Sequence, residues 1–405
     1  MRNAQKERNS ETGAYAATVT SHPSRFLEAL PPLALYIHIP WCVKKCPYCD
    51  FNSHEARMTV PETEYVEALV SDLETALPQV QGRRIQSVFF GGGTPSIFQA
   101  QTIEAILTAV RALLPVEPCA EITLEANPGT FEVQKFAALR CAGINRLSIG
   151  VQSFNPRHLK ALGRIHNEQD AFRAVETAQK LFDNLNLDLI YALPGQTADE
   201  ARQDIKNAIS FSPQHISAYH LTIEPNTLFH RNPPQLPDDE SSAEMQEMIE
   251  EELGAHGYQH YETSAFAKTD FQSRHNMNYW LFGDYLGIGA GAYSKISFKR
   301  SIVRQARYKQ PKDYMSHALQ GKPVQDAHDV TNRDLEFEFM LNALRLIGGF
   351  PIALFEERTG LPITQLQKQL ATAEQLGLIE RNFQRIAPTP LGQRFLNDTL
   401  QLFLP

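Results

Sequence analysis

The sequence predicts an α/β protein: a partial, open barrel of six β/α units, then a smaller C-terminal α+β region with a winged-helix-like end. Three observations carry this. Strand-like apolar segments alternate with amphipathic helical stretches from residue 33 to about 222. Two of the strands, IQSVFF and LDLIYAL, are almost unbroken apolar runs, as in a parallel sheet covered by helices on both faces. A proline-rich, acidic break runs from Asn232-Pro233-Pro234 to Pro237-Asp238-Asp239 and reads as a boundary.

Taken in order, the expected strands are 33–39, 85–90, 121–126, 146–151, 187–193 and 215–221. Helices are expected between them at 62–77, 100–113, 131–141, 168–182 and 197–210. Six such units fit an open version of the eight-unit barrel better than a closed one. After the break come an acidic helix (239–255), a strand (258–267) and an aromatic, glycine-rich run, RHNMNYWLFGDYLGIGAGAYS (274–294). The chain then reads as helices at 331–346, 351–358 and 363–376 and a hairpin over LIERNFQRIAPTPLG, a winged-helix order. The expected partition is a poorly ordered tail (1–32), the barrel (33–232), an intermediate region (233–330) and the C-terminal domain (331–405).

The 405 residues can bury a large core. A net charge of −8 argues against a general nucleic-acid binder. The third helix of the C-terminal domain, ITQLQKQLATAEQLG, lacks the basic face of a DNA reader, so a packing or partner-binding role is expected. No apolar run approaches the roughly 20 residues of a membrane span. With sparse cysteines and no export signal, the expected compartment is the reducing cytoplasm.

The chemistry centres on Cys42, Cys46 and Cys49, spaced Cys-x3-Cys-x2-Cys just past the first strand. Three thiolates can hold three irons of a 4Fe-4S cluster and leave the fourth open. Zinc is an alternative, with His38 or His54 as a fourth ligand. The remaining strands end in further polar or glycine-rich groups: Gly91-Gly92-Gly93-Thr94-Pro95, Glu125 and Gln152, with Asp188 inside the fifth strand. A carboxylate on an apolar strand is costly to bury unpaired, and convergence at one barrel end would explain the set. Cys119 and Cys141 are isolated and expected to be core thiols; Arg157 and His158 suit a solvated helix start, and Glu356 and Glu357 an exposed face.

Together YIHIPWCVKKCPYCDF, FFGGGTP, LEANP, GVQSF and LDLIYALPGQT resemble the radical S-adenosylmethionine (SAM) enzymes, in the oxygen-independent coproporphyrinogen dehydrogenase-like branch, over about residues 33–346. The resemblance implies that Cys42, Cys46 and Cys49 ligate the cluster, whose open iron is chelated by SAM. It implies that Tyr36, Gly92, Gly93, Thr94 and Glu125 contact that SAM, and that Gln152, Arg164 and Asp188 match positions contacting a second SAM in the dehydrogenase. In that family, an electron from the cluster cleaves SAM to a 5′-deoxyadenosyl radical.

Two departures shift the expectation. The dehydrogenase pattern ends in a fourth cysteine where this chain has Phe51, a substitution shared with a haem-chaperone branch. His275-Asn276-Met277-Asn278-Tyr279 fits the HNxxY pattern implicated in haem binding there, with His275 or Tyr279 as the iron ligand and His260 as a weaker alternative. Trp280, Phe282 and Tyr285 would flank the porphyrin. The resemblance therefore implies a haem chaperone that serves haem-accepting proteins such as respiratory cytochromes. It leaves open a homodimer and, at most, peripheral membrane association. The competing readings are a coproporphyrinogen III dehydrogenase and a structural metal module.

Overall fold

The segment LALYIHI forms the first strand, β1 (Leu33–Ile39), with six of its seven residues buried. The computed structural model describes residues 25–56, 59–130 and 133–405. Five more strands follow: β2 (Ile85–Gly92), β3 (Val116–Ala126), β4 (Arg146–Gln152), β5 (Leu185–Tyr191) and β6 (His215–His220). They pair in chain order and every pair is parallel. Between them run α1 (Glu62–Val80), α2 (Ala100–Leu113), α3 (Val133–Ala142), α4 (Glu168–Leu181) and α5 (Ala198–Ser210). Capping boxes start α4 (Asn167 with Asp170) and α5 (Thr197 with Glu200), satisfying backbone N–H groups that a helix start leaves open. The six-unit open barrel is therefore the observed core of the fold.

The middle of the chain departs from its expected independence. After α6 (Asp239–Ala255), residues 258–267 form a hairpin, β7 (Gln259–Glu262) and β8 (Ala265–Ala267), where one strand was expected. β8 pairs antiparallel with β6 and so closes that edge of the barrel sheet. The aromatic, glycine-rich run supplies a short helix, α7 (Arg274–Trp280), and a strand, β9 (Asp284–Ile288). β9 lies parallel to β1 on the side away from β2, with Leu33 opposite Asp284 and Ile37 opposite Ile288. β10 (Tyr293–Phe298), β11 (Ser301–Arg307) and β12 (Val324–Asp329) extend the sheet antiparallel to twelve strands, with α8 (Pro311–Ala318) before the last. Residue 232 is thus no sheet boundary: strands from beyond it cover both edges.

The C-terminal region has its own three-stranded sheet: β13 (Phe350–Pro351), β14 (Ile379–Arg381) and β15 (Arg385–Pro388). Its helices are α9 (Asn332–Ala343), α10 (Ile352–Thr359) and α11 (Gln367–Gln375). Phe339 packs edge-on against Phe350 and Phe355 at the centre of this second core.

Three local expectations are corrected. Residues 1–24 of the expected tail lie outside the described residues, but 25–32 are held in place. Arg25 is buried and donates to the Val330 carbonyl at 3.0 Å, and Leu27 is buried too. Cys119 and Cys141 are exposed, Cys119 because β3 bulges between Val116, which pairs with Ile85, and Glu121, which pairs with Ser87. His158 is fully buried beside Glu200, because its short helix Pro156–Ala161 lies against the start of α5. Glu356 and Glu357 are exposed as expected.

The antiparallel extension is bound to the barrel by a buried cluster around Asp72 of α1. Its carboxylate pairs with Arg307 of β11 at 3.2 Å and accepts from the Tyr314 hydroxyl of α8 at 2.9 Å. Removing one partner strands the other charge, a loss of about 3–5 kcal/mol. Asp72→Ala should therefore destabilise the protein by an amount of that order in urea unfolding; a change near zero would show that Arg307 repairs its pairing elsewhere.

Candidate cofactor site at the barrel mouth

The cysteine loop leaves the C-terminal end of β1, where α/β proteins build their sites. Trp41–Cys42 and His54–Glu55 pair as a small parallel ribbon that closes the loop at its base. Lys45 donates to the carbonyls of Phe51 (3.1 Å) and Ser53 (3.2 Å), and the Asn52 amide to those of Ala290 and Lys309, each at 2.9 Å. His38 Nε2 lies 2.9 Å from the Asn52 carbonyl, and its Nδ1 lies 3.0 Å from the Tyr36 hydroxyl. Burial pushes the His38 pKa down to about 4, so the ring is neutral and holds the loop by hydrogen bonds.

The glycine triplet packs against this exit. The Gly93 amide donates to the Ile39 carbonyl and the Thr94 amide to the Trp41 carbonyl, each at 2.8 Å. Gly92 has φ of +116°, and a Cβ there would lie 2.6 Å from the His38 ring; one on Gly93 would lie 2.5 Å from the Trp41 carbonyl oxygen. The triplet is required by its fit to the cysteine loop as well as by any bound ligand.

Above it lies a cavity of about 360 Å³. Its walls include Cys42, Cys46, Cys49, Gly92, Gly93, Thr94, Glu125, Gln152, Arg164 and Asp188. Burial first, and then the nearby Asp188 charge, raise the Glu125 pKa to about 8. Asp188 accepts from Ser148 (2.8 Å) and Asn186 (2.9 Å). Arg164 reaches the Cys46 Sγ at 3.5 Å and the Gly150 carbonyl at 2.8 Å, while its buried Nε has no protein partner. Gln152 holds φ of +69°, a strained conformation for a non-glycine residue at the cavity wall. Burial raises the Cys42 and Cys49 pKa values, so thiolates there need a cation to hold them. Three thiols on one wall, a glycine cradle and an unpaired guanidinium N–H fit a three-cysteine cluster with a polar, anionic co-ligand.

A second cavity, of about 740 Å³, shares Cys49, Phe51, Gly92 and Glu125 with the first. Tyr36, Tyr279, Tyr285 and Tyr293 line it. The structure separates the two ends of the HNxxY segment. Tyr279 is on the cavity wall, whereas His275 is buried behind it, 2% exposed and absent from both cavity linings. Its Nδ1 lies 3.0 Å from the Ser87 hydroxyl, its ring stacks on Phe89 at 4.8 Å, and burial lowers its pKa to about 3. Tyr285 lines the cavity as expected. Phe282 instead packs on Phe339 in the C-terminal core, and Trp280 lies under the Arg345 guanidinium at 4.5 Å. His260 stacks on Phe266 at the sheet edge, outside both cavities. Tyr219 and Glu224, at and beyond the end of β6, also line the first cavity and were missed; the strand-end position was their only signal in the sequence.

Residues 36–208 match the Radical SAM superfamily, and residues 330–395 the HemN C-terminal domain. The chain is 47% identical to the protein named "Heme chaperone HemW" of Escherichia coli (strain K12), across 93% of this chain and 99% of that protein. The chain belongs to the HemW family. The Haemophilus influenzae HemW is 46% identical across 93% of this chain and 98% of that protein; the Bacillus subtilis HemW is 34% identical across 91% and 98%. Among solved structures, the fold is similar to the coproporphyrinogen III oxidase HemN of Escherichia coli, a radical SAM enzyme, with a TM-score of 0.79, 25% identity and coverage of 92% of this chain and 90% of that one. Membership of the radical SAM superfamily implies a 4Fe-4S cluster and SAM as cofactors of this HemW-family chain.

Two outcomes follow from this geometry. Gly93→Ala should displace the Trp41 peptide and lower the iron retained after anaerobic reconstitution, read by iron analysis; full iron content would mean the loop relaxes freely. Glu125 is protonated more readily when folded, near pH 8, than when unfolded, near 4.5. Its contribution to stability is therefore complete below about pH 4.5 and is lost as pH rises through about 8. The melting temperature of the cofactor-free protein should fall across that window, and Glu125→Gln should flatten the fall.

Proposed function

We propose that the protein binds haem and hands it to acceptor haemoproteins such as respiratory cytochromes, using a radical SAM scaffold. The observation that carries this reading is the shared wall between the two cavities, where Phe51 stands 60% exposed. The dehydrogenase pattern has a further cysteine there. An apolar ring in its place offers a flat surface to a macrocycle, and 740 Å³ falls within the size of a ligand pocket.

Cys42, Cys46 and Cys49 would hold the cluster, which supplies an electron source and an iron open to the amino and carboxylate groups of SAM. Tyr36, Gly92, Gly93, Thr94 and Glu125 would bind that SAM. Once a cationic group sits beside Glu125, its ionised form is favoured, so the carboxylate would act as the counter-charge. Gln152, Arg164 and Asp188 would orient a polar ligand on the far wall. In the adjoining cavity Tyr279 would meet the porphyrin, with its phenol as the iron ligand. His275 would support the Tyr279 ring, which meets it edge-on at 5.1 Å. We place this activity in the cytoplasm, with a homodimer or a peripheral membrane encounter compatible with it. No helix among the described residues is long and apolar enough to cross a membrane.

The similarity to HemN supports a second reading, oxidative decarboxylation of coproporphyrinogen III; an anaerobic assay with SAM and reductant that yields protoporphyrinogen at a useful rate would favour it. For the haem reading, absorbance titration of the purified protein should saturate with haem. Tyr279→Phe should weaken binding by about tenfold, roughly 1.4 kcal/mol. His275→Ala should weaken it less and leave the Soret position unchanged. Failure of the intact protein to bind haem overturns the proposal, and an altered Soret band in His275→Ala alone would return the ligand role to the histidine.

A further inference from the structure

The tyrosine wall of the second cavity is held from the C-terminal domain. The Tyr285 hydroxyl accepts from Arg304 Nη1 of β11 at 2.5 Å. The same guanidinium is clamped by Glu338 of α9, with Nη2 at 2.5 Å and Nε at 3.1 Å from one carboxylate oxygen. The Tyr285 ring lies 4.3 Å from that of Tyr279. The clamp is partly shielded, with the Arg304 and Glu338 side chains 20% and 24% exposed. Both nitrogens meet one acceptor, so the guanidinium plane is fixed, and its third nitrogen, Nη1, is aimed at the phenol oxygen.

We propose that Arg304 and Glu338 are positioning residues: helix α9 of the C-terminal domain sets, through Arg304 and Tyr285, the placement of Tyr279 in the porphyrin cavity. Neither residue lines that cavity; each acts through the tyrosines. The proposal rests on the haem reading for its functional consequence, but not for its structural one. Relaxing the clamp frees the Tyr285 phenol and lets the pair of rings rotate, so anything that shifts α9 alters the site that meets the porphyrin. A domain bearing no cavity residue of its own would thereby gain control of the affinity.

Glu338→Gln keeps the shape and removes the charge, and Tyr285→Phe removes the acceptor. In 3-fluorotyrosine-labelled protein without haem, the ¹⁹F resonance of Tyr279, identified by its loss in Tyr279→Phe, should move in both variants and stay in the exposed control Glu356→Gln. In haem titrations each variant should shift the Soret band and weaken binding by about three- to tenfold, with iron–sulfur content unchanged. The double variant should be no worse than Tyr285→Phe alone, because one chain of contacts is broken only once. Arg304→Lys should resemble Glu338→Gln, since an ammonium cannot make the forked contact. An unmoved Tyr279 resonance, or additive effects in the double variant, overturns the proposal. If the resonance moves but the wild-type protein binds no haem, the positioning stands and the haem reading fails.

Discussion

The close approach of the β2 glycine turn to the exit of β1 is the contact on which the rest of the site depends. β1 is central, hydrogen-bonded in parallel to β2 on one side and to β9 on the other, and it can move only with the sheet. Where it ends, the Gly93 and Thr94 amides take the carbonyls of Ile39 and Trp41, and no Cβ fits between the two backbones. This lays the cysteine loop across the barrel mouth instead of letting it project into solvent. The thiols then line one cavity with Glu125, Gln152 and Asp188.

Burial determines the charge state of what faces them. His38 and His275 are kept neutral by desolvation, which lets each serve as a fixed hydrogen-bonding and packing element. Glu125 is raised toward neutrality by its own burial and by Asp188, and it is ready to ionise once a cation arrives. Arg164, beside Cys46, is a partly buried positive group lining the same cavity.

Much of the barrel was legible because its signals are local. Apolar runs bounded by turns located β1 and α2 to the residue, and the periodicity located α4 and α5 to within one residue. The cysteine spacing and GGGTP were legible for the same reason: their geometry is set within a few residues. The β9 strand was not, since DYLGI is short, holds a glycine and lies in an aromatic run with no clear period; it is a strand because β1 has a free edge. The same long-range pairing undid the boundary expected at residue 232. Cys119 and Cys141 were misjudged because residue type alone suggests burial, whereas exposure is decided by where an element meets its neighbours.

The HNxxY segment shows the division most clearly. The sequence by itself determined that a histidine and a tyrosine stand four residues apart; that this stretch is the helix α7, which puts both on one face, was decided by the structure. The sequence also determined the residue types able to meet a cluster, SAM and a porphyrin. Which of the pair reaches the cavity depended on Phe89 and Ser87 of β2, close to 190 residues away, closing over His275 and leaving Tyr279 on the wall. Likewise, that Glu338 of the C-terminal domain steadies that wall is a matter of how two cores pack together. Such contacts join residues that no local pattern relates, so only the tertiary structure decided them.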